Sequence, residues 1–171
     1  TDPAYGKYHW TGHRRCNVSL PPSEAVKLGN RCPVCRRKLT KGVEQRVEEL
    51  ADRPLGFKPE NAIGYMHLLP LSEIIATALG VANPAMSRVW SIYNALITRF
   101  GDEYAVLIDA SKEEMTKIVE PRVAEAITRV RDGRVKVVPG YDGVYGQLVL
   151  EEDQMETLLG KPRQRSITDF M

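Results

Sequence analysis

Apolar residues recur at helical spacing through the middle of the chain and alternate only near its end. Val43, Val47, Leu50 and Ala51 share one side of a helix over 40–53, with glutamates opposite and Pro54 as its stop. A second apolar run over 71–79 carries Ser72 and Glu73 at its start and predicts a short helix closed by Gly80. Asn83 and Pro84 offer a cap and first turn to a third helix, whose stripe is Val89, Trp90, Tyr93, Leu96, Ile97 and Phe100, with Gly101 as its end. Ser111 and Glu114 make a capping box, and Met115, Ile118, Val123, Ala124, Ile127 and Val130 carry a stripe to Arg131 across a break forced by Pro121. Alternation then takes over. Residues 134–138 and 144–150 predict two strands, joined through Pro139-Gly140-Tyr141-Asp142-Gly143.

The first forty residues lack this periodicity and hold a metal-ligand spacing instead. His13-Arg14-Arg15-Cys16 and Cys32-Pro33-Val34-Cys35 are two ligand-x-x-ligand pairs, and they use every cysteine in the chain. Zinc takes four nitrogen or sulfur ligands in a tetrahedron, and each pair supplies two of them from one tight turn. The expectation is a closed, structural zinc site of His13, Cys16, Cys32 and Cys35, with no position left for a water nucleophile. His9 stands outside the spacing and reads as a packing residue.

These patterns give an α+β chain: a small zinc ribbon with a basic face (1–40), a helical domain (41–133), a β-hairpin (134–150) and a flexible tail (151–171). The formal net charge of +2 over 171 residues is too small to announce a nucleic-acid partner, so the placement of charge decides. Arg14, Arg15, Arg36, Arg37, Lys38 and Lys41 surround the two ligand pairs, with Tyr8 and Trp10 near for stacking, and make the expected DNA-binding face. No nucleophile–base pairing stands out. His67 lies among apolar residues and reads as a core histidine, while Asp109 and Asp142 have no ligand companions nearby in sequence. No apolar run is long enough to span a bilayer and no signal peptide opens the chain, so a cytoplasmic protein is expected. The opening Thr1, in place of Met, suits a piece of something longer.

Three resemblances sharpen the reading. The helix ending Phe100-Gly101, the crossing that follows and the helix start after Asp109-Ala110-Ser111 resemble tandem helix-hairpin-helix domains of DNA repair proteins. There, glycine-rich hairpins let helix-start amides approach a phosphate. Val119-Glu120-Pro121 brings a carboxylate and no glycine to that position, so the second hairpin is expected to be degenerate. At the other end, Gln164, Ile167, Phe170 and Met171 resemble the peptide with which replication and repair proteins dock on a PCNA-type sliding clamp. Met171 stands where that pattern has a second aromatic residue.

The widest resemblance runs over nearly the whole chain. Gly6-Lys7-Tyr8-His9, both ligand pairs, Leu39-Thr40-Lys41-Gly42-Val43, the stretch Arg46-Val47-Glu48-Glu49-Leu50-Ala51-Asp52-Arg53-Pro54 and Pro139-Gly140-Tyr141-Asp142-Gly143-Val144-Tyr145-Gly146 resemble, in order, the C-terminal part of the archaeal DNA repair family endonuclease Q. That resemblance implies a parent that nicks DNA on the 5′ side of deaminated bases (hypoxanthine, uracil) and of abasic sites. It places the catalytic, metal-dependent PHP domain upstream of Thr1, so no catalytic residue is expected here and the chain alone is not expected to cut. Family members often carry Cys where His13 stands and glycine where Arg36 stands. Two other classes remain open at this point: a non-enzymatic zinc-ribbon adaptor for DNA or protein, and a domain that only completes a nuclease fold.

Overall fold

Backbone pairing around the first ligand pair organises one of the two units into which the chain gathers. In the computed structural model, which describes residues 1–150, this unit takes Pro3–Gly64 together with Val137–Gln147. Strands β1 (Thr11–His13) and β2 (Val18–Leu20) run antiparallel, Thr11 opposite Leu20 and His13 opposite Val18, with the 3-10 turn Arg14–Cys16 between them. On the other side of β1, Gly12 and Thr40 exchange backbone hydrogen bonds of 3.0 and 2.9 Å. Helix α1 (Pro22–Lys27) begins on a proline whose missing N–H costs nothing at a helix start. Beneath these elements lies a small core of Val18, Ala25, Cys32 and Leu39, joined by Cys16 and Leu20.

Helix α2 (Val43–Leu50) is shorter than the 40–53 expected from the apolar pattern, and it is turned the other way. Val43, Val47 and Leu50 are 58%, 59% and 66% exposed, whereas Gln45 is buried. The cause is polar. The Thr11 hydroxyl donates to Gln45 Oε1 at 2.6 Å and accepts from the Gly42 amide at 2.9 Å, so a buried Thr–Gln pair is fully employed. Val43 and Glu44 amides donate to the Tyr8 and His9 carbonyls, which draws the helix start against this chain. A Cβ on Gly42 would lie 2.3 Å from the His9 carbonyl oxygen, so only glycine allows the approach. The helix therefore groups with the ribbon, across the boundary at residue 40 expected from sequence.

The apolar stripes of the other helices meet in the second unit, Thr1–Asp2, Tyr65–Lys136 and Leu148–Leu150. Helix α3 (Leu71–Leu79) ends on Gly80 at φ 70°, as the sequence predicts. Helix α4 (Ser87–Phe100) starts later than expected, because the Asn83 carboxamide accepts from the Ala85 amide and holds a turn instead of a cap. The stretch after Gly101, unassigned from sequence, contains a π-helical turn, Ala105–Asp109. Ser111 caps α5 (Lys112–Met115) through the Glu114 amide, and Pro121 opens α6 (Pro121–Arg131) after the expected break. Leu71, Ile74, Ile75, Val89, Leu96 and Ile127 are among the fully buried residues, as α3 packs against α4 and α6. His67 is exposed, edge-on to Tyr65 at 5.0 Å, so it is not the core histidine its apolar neighbours suggested.

Strands β3 (Lys136–Val138) and β4 (Gln147–Val149) pair, each shorter than the alternation predicts. Residues 139–146 between them are spent differently. Asp142 and Gly143 form a tight turn at φ 41° and 86°, closed by the Tyr141 and Val144 backbones. The loop's backbone then docks on the chain's start: the Gly140 amide donates to Ala4, Gly146 to Tyr5 and Gly143 to Lys7, while Trp10 donates to Gly140. A Cβ on Gly140 or Gly146 would stand 2.4 Å from a carbonyl oxygen, so these two glycines serve close approach. The fold is the expected α+β mixture of helices and small two-stranded sheets. The described residues include no helix long and apolar enough to cross a membrane.

Candidate metal centre and basic face

In each ligand pair the residue after the second ligand takes the left-handed region. The first leaves β1 at His13, turns through Arg14–Cys16 and puts Asn17 in the left-handed region at φ 51°, with the Asn17 amide on the Arg14 carbonyl. The second turns from Cys32 to Cys35 and puts Arg36 at φ 61°, with the Arg36 amide on the Cys32 carbonyl at 2.9 Å. Glycine is the usual occupant of that conformation, so an arginine there is held by the turn against its own preference.

The two turns bring His13, Cys16, Cys32 and Cys35 together, with one ligand atom from each lying within 4.8 Å of all the others. His13 Nδ1 and Cys35 Sγ are 3.4 Å apart. A tetrahedral zinc with bonds of about 2.0–2.3 Å spaces its ligands by roughly 3.4–3.8 Å, so the donor set fits a metal ion with little adjustment. The thiols also respond to one another. Burial and the Cys35 and Cys32 sulfurs push the Cys16 thiol up to about 11, while the Arg37 backbone amide draws Cys35 below its ordinary value. A divalent cation would release the protons of both and remove the crowding of like charge. Cys32 is fully buried in the small core, so the candidate metal cluster and the core share a side chain. His9 lies apart, 3.4 Å from Glu44 Oε2.

Sequence reasoning missed the brace on this centre. Asp142, which has no companions nearby in the chain, accepts the Arg14 amide at 2.6 Å through Oδ2 and the Thr40 hydroxyl at 2.6 Å through Oδ1. Tyr141 donates from its hydroxyl to Asn17 Oδ1 at 2.7 Å. Burial works to raise the Asp142 carboxyl, but the Thr40 and Arg14 hydrogen bonds and the nearby Arg14 charge outweigh it and hold it low. No local pattern announces these contacts, since they join residues more than a hundred positions apart. Asp142→Ala is expected to destabilise the metal-loaded unit by about 1–2 kcal/mol. A denaturant midpoint that did not move would show that the brace is idle.

Arg14, Arg15, Arg36, Arg37, Lys38 and Lys41 are all exposed, and the first five lie on or beside the two turns. Lys41 is partly spent, its Nζ 2.6 Å from Glu49, whose carboxyl the Lys41 and Arg46 hydrogen bonds hold low. The other five meet no carboxylate at ion-pair distance among the described residues. Elsewhere, a cleft of about 510 Å³ in the helical unit is lined by Met66, Leu68, Leu69, Tyr104, Leu107 and Glu103. Both Glu103 oxygens are engaged, one by the Leu71 amide at 2.7 Å and one by the Tyr93 hydroxyl at 3.0 Å. That carboxylate is a fastener for α3 and α4. At the expected second hairpin, Glu120 pairs with Arg88 and Arg122 at 2.8 Å, so the carboxylate is neutralised locally.

Comparison with known proteins bears on this geometry. Residues 70–134 match the family described as the MJ0043 C-terminal domain. The chain is 35% identical over 157 residues to the uncharacterized protein MJ0043 of Methanocaldococcus jannaschii, covering 91% of its own length and 19% of that protein. It is 30% identical over 148 residues to the uncharacterized protein YqxK of Bacillus subtilis, covering 86% of itself and 34% of that protein. Among solved structures it resembles the lesion-specific endonuclease PfuEndoQ of Pyrococcus furiosus, with TM-score 0.76 and 35% identity, over 98% of this chain and 39% of that one. It resembles equally endonuclease Q in complex with a 27-mer duplex substrate with an abasic lesion at the active site, with TM-score 0.75 and 36% identity, over 95% of this chain and 39% of that one. The chain thus spans well under half of each relative, and it is similar to one part of endonuclease Q.

Proposed function

We propose that this chain is the DNA-gripping, metal-stapled portion of a lesion-specific DNA endonuclease of the endonuclease Q kind, supplying the hold on DNA and not the cut. The observation that carries the reading is the likeness to PfuEndoQ at TM-score 0.76 over 98% of the chain. The relative captured with an abasic duplex points to the same class of substrate. On this reading the whole protein hydrolyses a phosphodiester on the 5′ side of deaminated bases (hypoxanthine, uracil) and abasic sites, with an upstream PHP domain housing the chemistry.

The division of labour follows from the side chains. Zinc, when bound, supplies a tetrahedral lock among His13, Cys16, Cys32 and Cys35. Arg14, Arg15, Arg36, Arg37 and Lys38 meet phosphates from the two turns that the lock fixes, and Lys41 contributes less because Glu49 already holds it. Gln164, Ile167, Phe170 and Met171, which lie outside the described residues, are assigned to a sliding clamp on sequence pattern alone. Docking there would raise the local concentration of the grip near DNA without altering the reaction.

Salt dependence tests the grip. Each lost phosphate contact should flatten the slope of log affinity against log salt by about one. The double variant Arg14→Gln/Arg15→Gln is therefore expected to lose about two units of slope and roughly tenfold in affinity for a lesion-bearing duplex at physiological salt. An unchanged slope, measured by fluorescence anisotropy across a salt series, would remove the basic face from the reading.

A further inference from the structure

We infer that Tyr8 and Tyr145, with Lys7 between them and Arg14 alongside, form a seat for an unpaired nucleotide, so that this chain prefers DNA where a strand has left its duplex. The inference deepens the DNA-gripping reading and rests on it. Lys7 Nζ lies 5.8 Å from the centre of the Tyr8 ring and 5.7 Å from that of Tyr145, so one ammonium serves two rings that are far apart in sequence. Both rings face solvent, 46% exposed for Tyr8 and in the same way 62% for Tyr145. Gly143 brings the third party in: the place its Cβ would occupy is 3.6 Å from both Arg14 Nη1 and the Tyr8 hydroxyl.

The seat is built on fastened backbone. The Gly143 amide donates to the Lys7 carbonyl at 2.8 Å, and the Gly146 amide donates to Tyr5 at 3.0 Å, which fixes Tyr145 from both sides. Asp142 holds the Arg14 amide, and Tyr141 holds Asn17, so the loop and the first ligand turn move as one piece. Asp142, the carboxylate closest in sequence, accepts from two uncharged donors, the Arg14 amide and the Thr40 hydroxyl, so it keeps its negative charge, and Lys7 and Arg14 set two positive charges against it.

Chemistry narrows the occupant. Every nucleobase has a π-face that can stack on a phenol ring, and its phosphate needs a cation within a few ångströms, which Lys7 and Arg14 supply. In an intact duplex those faces are hidden by neighbouring pairs, so only unpaired nucleotides can use the rings. Neither ring belongs to the small core of Val18, Ala25, Cys32 and Leu39, and each leaves about half or more of its residue surface open to solvent. Trp10, named beside Tyr8 from the sequence, is more covered than either tyrosine and serves the loop through its backbone.

The test uses the full, zinc-loaded chain and two labelled probes, a blunt duplex and the same duplex carrying a gap of about six nucleotides. Tyr145→Ala is expected to weaken binding to the gapped probe about tenfold and to leave the blunt probe and the salt slope unchanged, because stacking releases no counterions. Tyr8→Ala should act in the same direction, and Tyr145→Phe should bind like the parent because it keeps the ring. Equal losses on both probes, or no loss on either, would overturn the seat while leaving the DNA-gripping reading intact. A parent chain that binds neither probe would overturn both. Metal content and far-ultraviolet circular dichroism, compared across the variants, separate lost stacking from lost folding.

Discussion

Removing the metal from the zinc-loaded chain with a strong chelator is expected to unfold Pro3–Gly64 while the helices of Leu71–Arg131 keep their circular dichroism. Closed zinc sites of this kind supply about 10–16 kcal/mol of apparent binding free energy, and that energy is folding energy where the apo site does not preform. The unit has little else to offer. Its apolar core is Val18, Ala25, Cys32 and Leu39 with Cys16 and Leu20, two of the six belonging to the candidate metal cluster themselves. Domains with so small a core generally need a staple. Cys32→Ala should therefore lose stoichiometric zinc and amide dispersion for Val18, Ala25 and Leu39 without any chelator. Cys35→Ala should lose the metal too, but leave the buried methylene of Cys32 in place. A metal-free chain that kept its dispersion and its denaturation midpoint would contradict the structural role.

The second large effect belongs to Arg131, the last residue of α6. Its guanidinium donates to three backbone carbonyls, Leu107 at 2.8 Å, Val106 at 2.9 Å and Ala110 at 2.8 Å. These are carbonyls of the π-helical turn and its end, where the regular ladder of hydrogen bonds is interrupted. Charged hydrogen bonds to partly buried carbonyls are worth more than neutral ones, and leaving the carbonyls unpaired adds a desolvation cost. Arg131→Ala is accordingly expected to destabilise the helical unit by about 3 kcal/mol, several times the usual surface substitution. Arg131→Lys should recover only a minor part, because a single ammonium cannot span three acceptors as a planar fork does. Thermal unfolding reads the result. A shift no larger than that of an ordinary exposed arginine would show that water replaces the fork without loss.

Arg131 illustrates where the sequence stopped being readable. It closes a periodic stripe and so marks a helix end correctly, yet its work lies with carbonyls more than twenty positions earlier, in a stretch with no recognisable period. The cluster of His13, Cys16, Cys32 and Cys35 was legible because a tetrahedral metal site imposes a spacing on each turn, and that spacing stands in the chain as two x-x gaps. Gly80, Gly101 and Pro121 were legible because each acts on its own turn. Helix α2 was misread for the opposite reason. Periodicity marks a helix face as apolar, but the choice of which face goes inside was made by a Thr11–Gln45 hydrogen bond and by the room Gly42 leaves, both set by a segment thirty residues away. Pro139–Gly146 carried the resemblance to endonuclease Q as a string of glycines and tyrosines and was read as a turn. Its glycines admit carbonyls, and its Asp142 binds an amide at the other end of the chain.

That long reach sets an order of events during synthesis. The ribosome delivers Cys35, the last of the four ligands, 107 residues before Asp142. At about 5–20 residues per second, the nascent knuckles wait roughly 5–20 seconds for their brace while the helical unit is being made. In that interval the three thiols have no Asp142 to hold the first turn, and a metal ion bound by the cluster would keep them from pairing with each other or with a stranger. If the cluster takes its metal early in translation, the ion would act as a guard on the chain's own chemistry, and the late arrival of the loop would close over a filled site.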